Sequence, residues 1–340
     1  MKKISVMQYN AMAFLLPITM FFGVGLSNIS IHSKESFWIS IIIGIILGSF
    51  IVLGFSKIME NNTNSLIESA SKKKIFIYIL ISLVFIYIGI AILTNLITSI
   101  YLTEINPILL ALPLLILLLY GAFKGKIIIA RISVLILIFA LILALSIILN
   151  LIPEVEIKNY LPLFNNSIWD ILLQGFNFAC YSSAPLMLLS LYSPKEIDSY
   201  KNTSLLKAYL VSCLMVSIIF ILTIGVMGID MASLYRYPEY IVLKKVSFFR
   251  FINNIENFNA FFWILTYLFL IVIAGSHLKE SIDKLTNTKW WFIGISIILF
   301  LSIVFTTFRN INFILLLYKY QSFILAGLIL LFFMVNINKK

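Results

Sequence analysis

Gln174-Gly175-Phe176-Asn177-Phe178-Ala179-Cys180-Tyr181-Ser182-Ser183-Ala184-Pro185 lies inside a long apolar run. Phe21-Phe22-Gly23-Val24-Gly25-Leu26-Ser27-Asn28 lies inside another, near the start of the chain and downstream of Pro17. Both stretches are interrupted by Gly or Pro and carry uncharged polar side chains. Non-helical backbone is tolerated at membrane depth only where it is buried in protein or lines a cavity. A break of this kind therefore points to a cavity. Gly and Pro are also frequent in membrane helices, and Gly serves close helix packing. The functional reading rests on the two interruptions standing at matching positions of two halves.

The rest of the chain agrees with a membrane setting. Of 340 residues, 61% are hydrophobic and only 11% charged, against roughly 25% charged in an ordinary soluble domain. The mean hydropathy is +1.06. No soluble fold of this length has enough interior to hide so much apolar surface. Disorder is excluded by the same numbers. A disulfide scaffold is excluded because the two cysteines, Cys180 and Cys213, both sit in apolar runs. The formal net charge of +11 reads as loop Lys and Arg that orient the chain, not as a nucleic-acid surface.

A spanning helix needs about 20 mostly apolar residues. The sequence predicts an all-α membrane protein with about ten spans, near 9–31, 36–57, 75–101, 107–121, 127–151, 168–191, 205–228, 256–277, 290–308 and 316–337. The first run follows Lys2 and Lys3 but is too long for a signal peptide, and it reads as a retained span. With both termini cytoplasmic, most Lys and Arg fall in inner loops. Arg236, Lys244, Lys245 and Arg250, which fall outside, share one loop, 229–255.

The interruptions then fall in the first span of each five-span half. Five is odd, so the halves, 8–151 and 168–337, are inverted relative to one another within a single integral membrane domain, 1–340. That is the 5+5 inverted-repeat layout of LeuT-type transporters, with helices one and six broken and the ligand between them. No residue-level similarity links the halves; the repeat is read from layout. Freed amides at half-helix N-termini attract a carboxylate, and freed carbonyls hold an ammonium group or a cation. A small zwitterion such as an α-amino acid carries both charges. The expected substrate-binding residues are Phe22, Gly23, Val24, Gly25, Phe178, Tyr181, Ser182 and Ser183. Glycines would present backbone, serines hydroxyls, and aromatic rings would close over the ligand.

The loop before the eighth span reads Tyr235-Arg236-Tyr237-Pro238-Glu239-Tyr240, continues through an apolar run, and ends Phe248-Phe249-Arg250-Phe251-Ile252-Asn253-Asn254-Ile255-Glu256. It resembles the spore germination permease family, the B subunits of nutrient germinant receptors, at Pro238, Phe248, Ile255 and Glu256. Gln8, the Gly23–Gly25 break and Asn159-Tyr160-Leu161-Pro162 are also similar. The sequence departs from the family at Asn254, where Arg is frequent, and at Tyr181–Pro185, where many members carry an acid. The resemblance implies the amino acid–polyamine–organocation superfamily and its LeuT-type fold. It implies sensing of an amino acid-like nutrient together with A-type and lipoprotein C-type subunits. It also implies a bacterial cell membrane or inner spore membrane as the location. Pro238 and Phe248 lie in the extracellular loop 231–255 and Glu256 directly follows it; these three are the candidate gating-loop residues.

That loop has its own periodicity. Phe248, Phe251, Ile252 and Ile255 form an apolar stripe on a short helix, which would either gate the outer vestibule or lie on the interface. Charge inside the spans is sparse. Asp170 stands near the outer end of span six and Glu104 in an outer loop. Lys319 is buried if the last span begins near 311 and snorkels if it begins near 319. His32 is expected in an outer loop and His277 at an inner helix end. Two isolated His and two Cys give no metal spacing, and no nucleophile–base set or phosphate loop is present. The expectation is a non-enzyme without cofactor or metal. Transport of an amino acid or monovalent cation is the alternative to sensing, and a ligand-free scaffold a third reading.

Overall fold

The computed structural model describes residues 3–21, 36–102, 104–161, 167–198, 200–245, 255–286, 294–295 and 311–337. These residues are helical apart from short loops and one isolated bridge. The long helices are α1 (Val6–Phe21), α2 (Phe37–Glu60), α3 (Lys72–Ile100), α4 (Pro107–Lys124), α5 (Lys126–Leu151), α6 (Ile168–Ser183), α7 (Asn202–Met227), α10 (Ile255–Thr286) and α11 (Ile311–Ile337). Two short helices, α8 (Ile229–Leu234) and α9 (Pro238–Lys245), lie between α7 and α10. Among the described residues, six helices are long and apolar enough to cross a membrane. The protein is therefore an all-α, multi-pass integral membrane protein. The ninth expected span lies outside the described residues except for Gly294 and Ile295.

Helix ends follow local chemistry. Ser5 and Gln8 form a reciprocal capping box: the Ser5 N–H donates to Gln8 Oε1 at 3.1 Å and the Gln8 N–H to Ser5 Oγ at 3.2 Å. Ser167 caps α6 by accepting from the Asp170 N–H at 3.1 Å. Gly125, at φ 85° and ψ 164°, makes the one-residue turn between α4 and α5, an essentially glycine-only conformation that costs a side-chain-bearing residue about 1–3 kcal/mol. Gly228, at φ 75°, ends α7 beside Asn159. There Asn159 Nδ2 donates to the Gly225 carbonyl at 2.8 Å and the Tyr160 hydroxyl to that of Ile221 at 3.0 Å. The Asn159-Tyr160 stretch thus clamps the loop before α6 onto the end of α7.

The sixth span differs from the sequence expectation. Gly175 does not interrupt α6, which stays α-helical to Ser183 and then tightens into a 3-10 helix over Ala184–Leu191. Pro185 stands in the first turn of that segment, where its missing N–H is tolerated. Sixteen α residues rise about 24 Å, short of a ~30 Å hydrocarbon core. The eight 3-10 residues add about 16 Å, so the two together are long enough. Gly175 has a packing role. A Cβ there would stand 3.0 Å from Ile43 Cβ and 3.1 Å from the Ser40 carbonyl, so α6 lies close against α2. Gly44 does the same from the other side, 2.8 Å from the Gly175 carbonyl.

α1 is the innermost helix, buried from Ala11 to Phe21 and packed against α5, α6, α7, α10 and the 3-10 segment. The sheath is apolar and faces lipid. α5 exposes Leu135, Leu141, Ile142, Leu145 and Leu149, as a helix bathed in hydrocarbon can. Below α1, Ile4 pairs with the stretch after α6. The Ile4 N–H donates to the Glu196 carbonyl and the Asp198 N–H to that of Ile4, each at 2.8 Å. α11 begins at Ile311, and Lys319 lies in its third turn.

Candidate functional site

Four of the eight expected binding residues lie on α6 and are buried: Phe178, Tyr181, Ser182 and Ser183. Phe22, Gly23, Val24 and Gly25 lie outside the described residues, as does Phe248. Phe21, the last described residue of α1, connects the two groups. Its ring centroid is 4.6 Å from Phe178 and 6.2 Å from Tyr181, and 5.7 Å from Phe220 of α7. Such tilted and edge-on pairs are the favoured arrangements of aromatic quadrupoles.

The hydroxyls beside this cluster are committed in part. Ser183 Oγ donates to the Ala179 carbonyl at 2.6 Å. Ser182 Oγ donates to the Phe178 carbonyl at 2.8 Å and lies 2.9 Å from the Tyr209 hydroxyl of α7. With its proton given to its own helix, each serine offers lone pairs. It can accept a hydrogen bond from an ammonium group more readily than donate to a carboxylate. Gly48 of α2 lets Tyr209 reach Ser182, because a Cβ there would fall on the Tyr209 hydroxyl. Cys180 and Cys213 are free and buried nearby in sequence on the same two helices.

In the outer loop, Pro238 opens α9 and Glu256 sits buried in the first turn of α10. The stripe expected at 248–255 lies outside the described residues except for Ile255, which begins α10. The described part of the loop instead holds α8 and α9. Val242 and Leu243 of α9 pack with Ile147, Leu151, Leu222 and Met227 in a separate apolar cluster. Glu239 of α9 is buried with Oε1 unpartnered. Burial pushes its carboxyl up to about 8, so it is largely protonated at neutral pH.

The sequence reading missed two polar groups. His277 does not mark a helix end, because α10 runs on to Thr286. It is fully buried, with Nδ1 2.7 Å from Ser82 Oγ of α3 and Nε2 2.8 Å from Ser190 Oγ of the 3-10 segment. Ser82 already donates to the Tyr78 carbonyl at 2.9 Å. The consistent assignment is a neutral ring whose Nδ1–H donates to Ser82 and whose Nε2 accepts from Ser190. The second group is Lys126, 2.8 Å from Glu196 and 3.9 Å from Glu280. Ser193-Pro194-Lys195-Glu196 is a capping-box pattern that could have placed Glu196. Nothing in the spacing of Lys126 or His277 announces their partners, which come from other helices. Among the described residues, no group of three or more His, Cys, Asp or Glu could hold a metal ion.

An innermost helix with Phe21 in an aromatic cluster, wrapped by apolar spans, defines a multi-pass integral membrane protein. The chain belongs to the spore permease family, described as spore germination protein, which matches residues 3–314. Members of a permease family are not enzymes, and neither is this protein. Similar solved structures include two of an Eremococcus coleocola manganese transporter. One, of a variant, is 11% identical at a TM-score of 0.49; the other, in complex with an aromatic bis-isothiourea substituted compound, is 15% identical at 0.46. Each alignment covers 98% of this chain and 76% of the other. No curated protein matches the chain.

Proposed function

We propose that the protein is the nutrient-sensing membrane subunit of a germinant receptor. In this reading a small amino acid-like zwitterion binds between the first and sixth spans, at Phe22–Gly25 and at Phe178, Tyr181, Ser182 and Ser183. Closure around it is relayed by population shift to A-type and lipoprotein C-type subunits. The fold is the LeuT-type pair of inverted halves, 8–151 and 168–337, with both termini cytoplasmic. Pro238, Phe248 and Glu256 belong to the loop that covers the outer side.

The observation that carries this reading is the contact of Phe21 with Phe178 and Tyr181. Phe22–Gly25 follow Phe21 directly in the sequence. The α-to-3-10 change at Ala184 adjoins Ser183. Local tightening of this kind frees carbonyls that could take an ammonium group. Tyr181–Pro185 contains no acid, so in this reading an ammonium group is held by carbonyl and hydroxyl lone pairs.

The test is uptake of a labelled amino-acid panel into proteoliposomes holding this protein alone, with heat stabilisation measured in parallel. Stabilisation by a panel member without uptake is the expected result. Saturable accumulation would replace sensing by transport of an amino acid or cation. Stabilisation by no nutrient, even with the partner subunits present, would leave a scaffold and overturn the reading.

A further inference from the structure

We infer that the α4–α5 hairpin carries a binding site for one anionic glycerophospholipid, with an acyl chain in a groove between α4, α5 and α10 and the headgroup at Lys124 and Arg131. The inference needs only that the protein sits in a bilayer, and it stands whichever ligand the central pocket takes. The groove encloses about 280 Å³, with α10 as its floor. Of its lining side chains, only those of Tyr120 and Lys124 carry a polar atom. Its walls include Leu117, Ile128, Ile132 and Ile136, and its floor Leu268 and Val272. Close approach of α4 to α10 at Gly121, where a Cβ would stand 2.9 Å from Val272 Cγ2, gives the groove its depth.

Its length and charge select the occupant. The α5 wall runs from Ile128 to Ile136, eight residues or about 12 Å along the helix, and the Lys124 end lies just beyond Ile128. That length is most of the ~15 Å depth of one leaflet of a ~30 Å hydrocarbon core, the reach of one acyl chain. The groove ends at the α4–α5 turn. Lys124 lines that end, its ammonium 5.0 Å from the Tyr120 ring centroid. Arg131 is exposed on α5, one turn from the groove residue Ile128, and about 7.5 Å along the helix from Lys126, a distance its long side chain covers by snorkelling to the headgroup layer. From residue 105 to residue 153 the chain contains Lys124, Lys126 and Arg131 and no Asp or Glu. Lys126 is already engaged by Glu196 and Glu280, so Lys124 and Arg131 remain for a phosphate. Basic residues where helices meet the headgroup layer are the usual means of holding acidic lipids. A zwitterionic lipid would gain the apolar groove but little from the two cations. A helix of a partner subunit would leave both cations at the membrane surface without a counter-ion.

The experiment uses the purified full chain, titrated with phosphatidylglycerol or phosphatidylcholine and read by retained lipid in native mass spectrometry. The wild type is expected to keep one phosphatidylglycerol in preference to phosphatidylcholine. Two basic residues near the surface, each worth roughly fivefold, make Lys124→Gln with Arg131→Gln about 30-fold weaker for phosphatidylglycerol and nearly unchanged for phosphatidylcholine. Ile132→Trp, at an exposed position, fills the groove and is expected to displace both lipids while the protein stays folded. Equal retention of the two lipids by the wild type would overturn the inference. So would a preference that survives the double substitution. Labelling at Ile132→Cys gives an independent reading, because Cys180 and Cys213 are buried. Protection by partner subunits but not by phosphatidylglycerol would make the groove a subunit interface and also overturn it.

Discussion

Replacing His277 by Phe tests the buried polar bridge between α3, α10 and the 3-10 segment. Phe keeps an aromatic ring in the fully buried site and beside Tyr78, whose ring centroid is 5.8 Å away. It removes both ring nitrogens, and with them the bonds to Ser82 at 2.7 Å and Ser190 at 2.8 Å. Side-chain hydrogen bonds between membrane helices average about 0.6 kcal/mol, so the two bonds account for about 1 kcal/mol. The consequences for the serines differ. Ser82 still donates to the Tyr78 carbonyl, whereas Ser190 loses its acceptor and stays buried, at a further cost of about 1–3 kcal/mol. The expected destabilisation is about 2–4 kcal/mol. Equilibrium unfolding in mixed micelles, followed by circular dichroism, measures it. Adding Ser190→Ala should return most of the loss, and adding Ser82→Ala should return little. A stability for His277→Phe within about 0.5 kcal/mol of wild type would refute the reasoning, as would equal rescue by both serine substitutions.

Two further outcomes follow from single contacts. Gly48→Ala puts a methyl group against the Tyr209 hydroxyl and should cost about 1–3 kcal/mol as overpacking; Tyr209→Phe in the same chain should recover part of it, read as Tm, because only the ring carbon at 2.9 Å is then left. Glu239 titrates at about 8 in the folded protein against 4.5 normally. The unfolded chain therefore releases the proton first, and the contribution is fully present below about pH 4.5 and lost as pH rises toward 8. Stability should fall by up to about 1.4 kcal/mol per pH unit across that window, and Glu239→Gln should flatten the slope. An unaltered slope in that variant would place the titrating group elsewhere.

How far the sequence could be read depended on the kind of signal. Long apolar runs gave the helices, because a bilayer rewards a property summed over about 20 residues. Even α4, short and opening with Pro107, is helical from Pro107 to Lys124. Individual Gly and Pro residues were less legible. Gly175 reads as a break yet is a packing contact with α2, while Pro185 coincides with a real change of helix type. The difference lies in what faces each residue, which one chain's pattern does not carry. The end of α10 was misplaced for the same reason. His277 reads as a helix end leaving the membrane, but it is buried and bridges Ser82 and Ser190 of other elements. Phe178, Tyr181 and Ser182 share one face, being three and four residues apart, whereas Ser183 turns away from it; all four are buried because α6 is enclosed on every side from Phe178 onward.

The most direct test of the proposed site is the affinity of wild type and Gly25→Leu for whichever amino acid stabilises the wild type. Titrated thermal shifts of the purified proteins in the same lipid provide it. The account predicts saturable stabilisation of the wild type and none for Gly25→Leu at any concentration that saturates the wild type, with the ligand-free Tm of the two proteins alike. The same Kd in both proteins would contradict it, because a side chain at Gly25 could not then lie against the ligand.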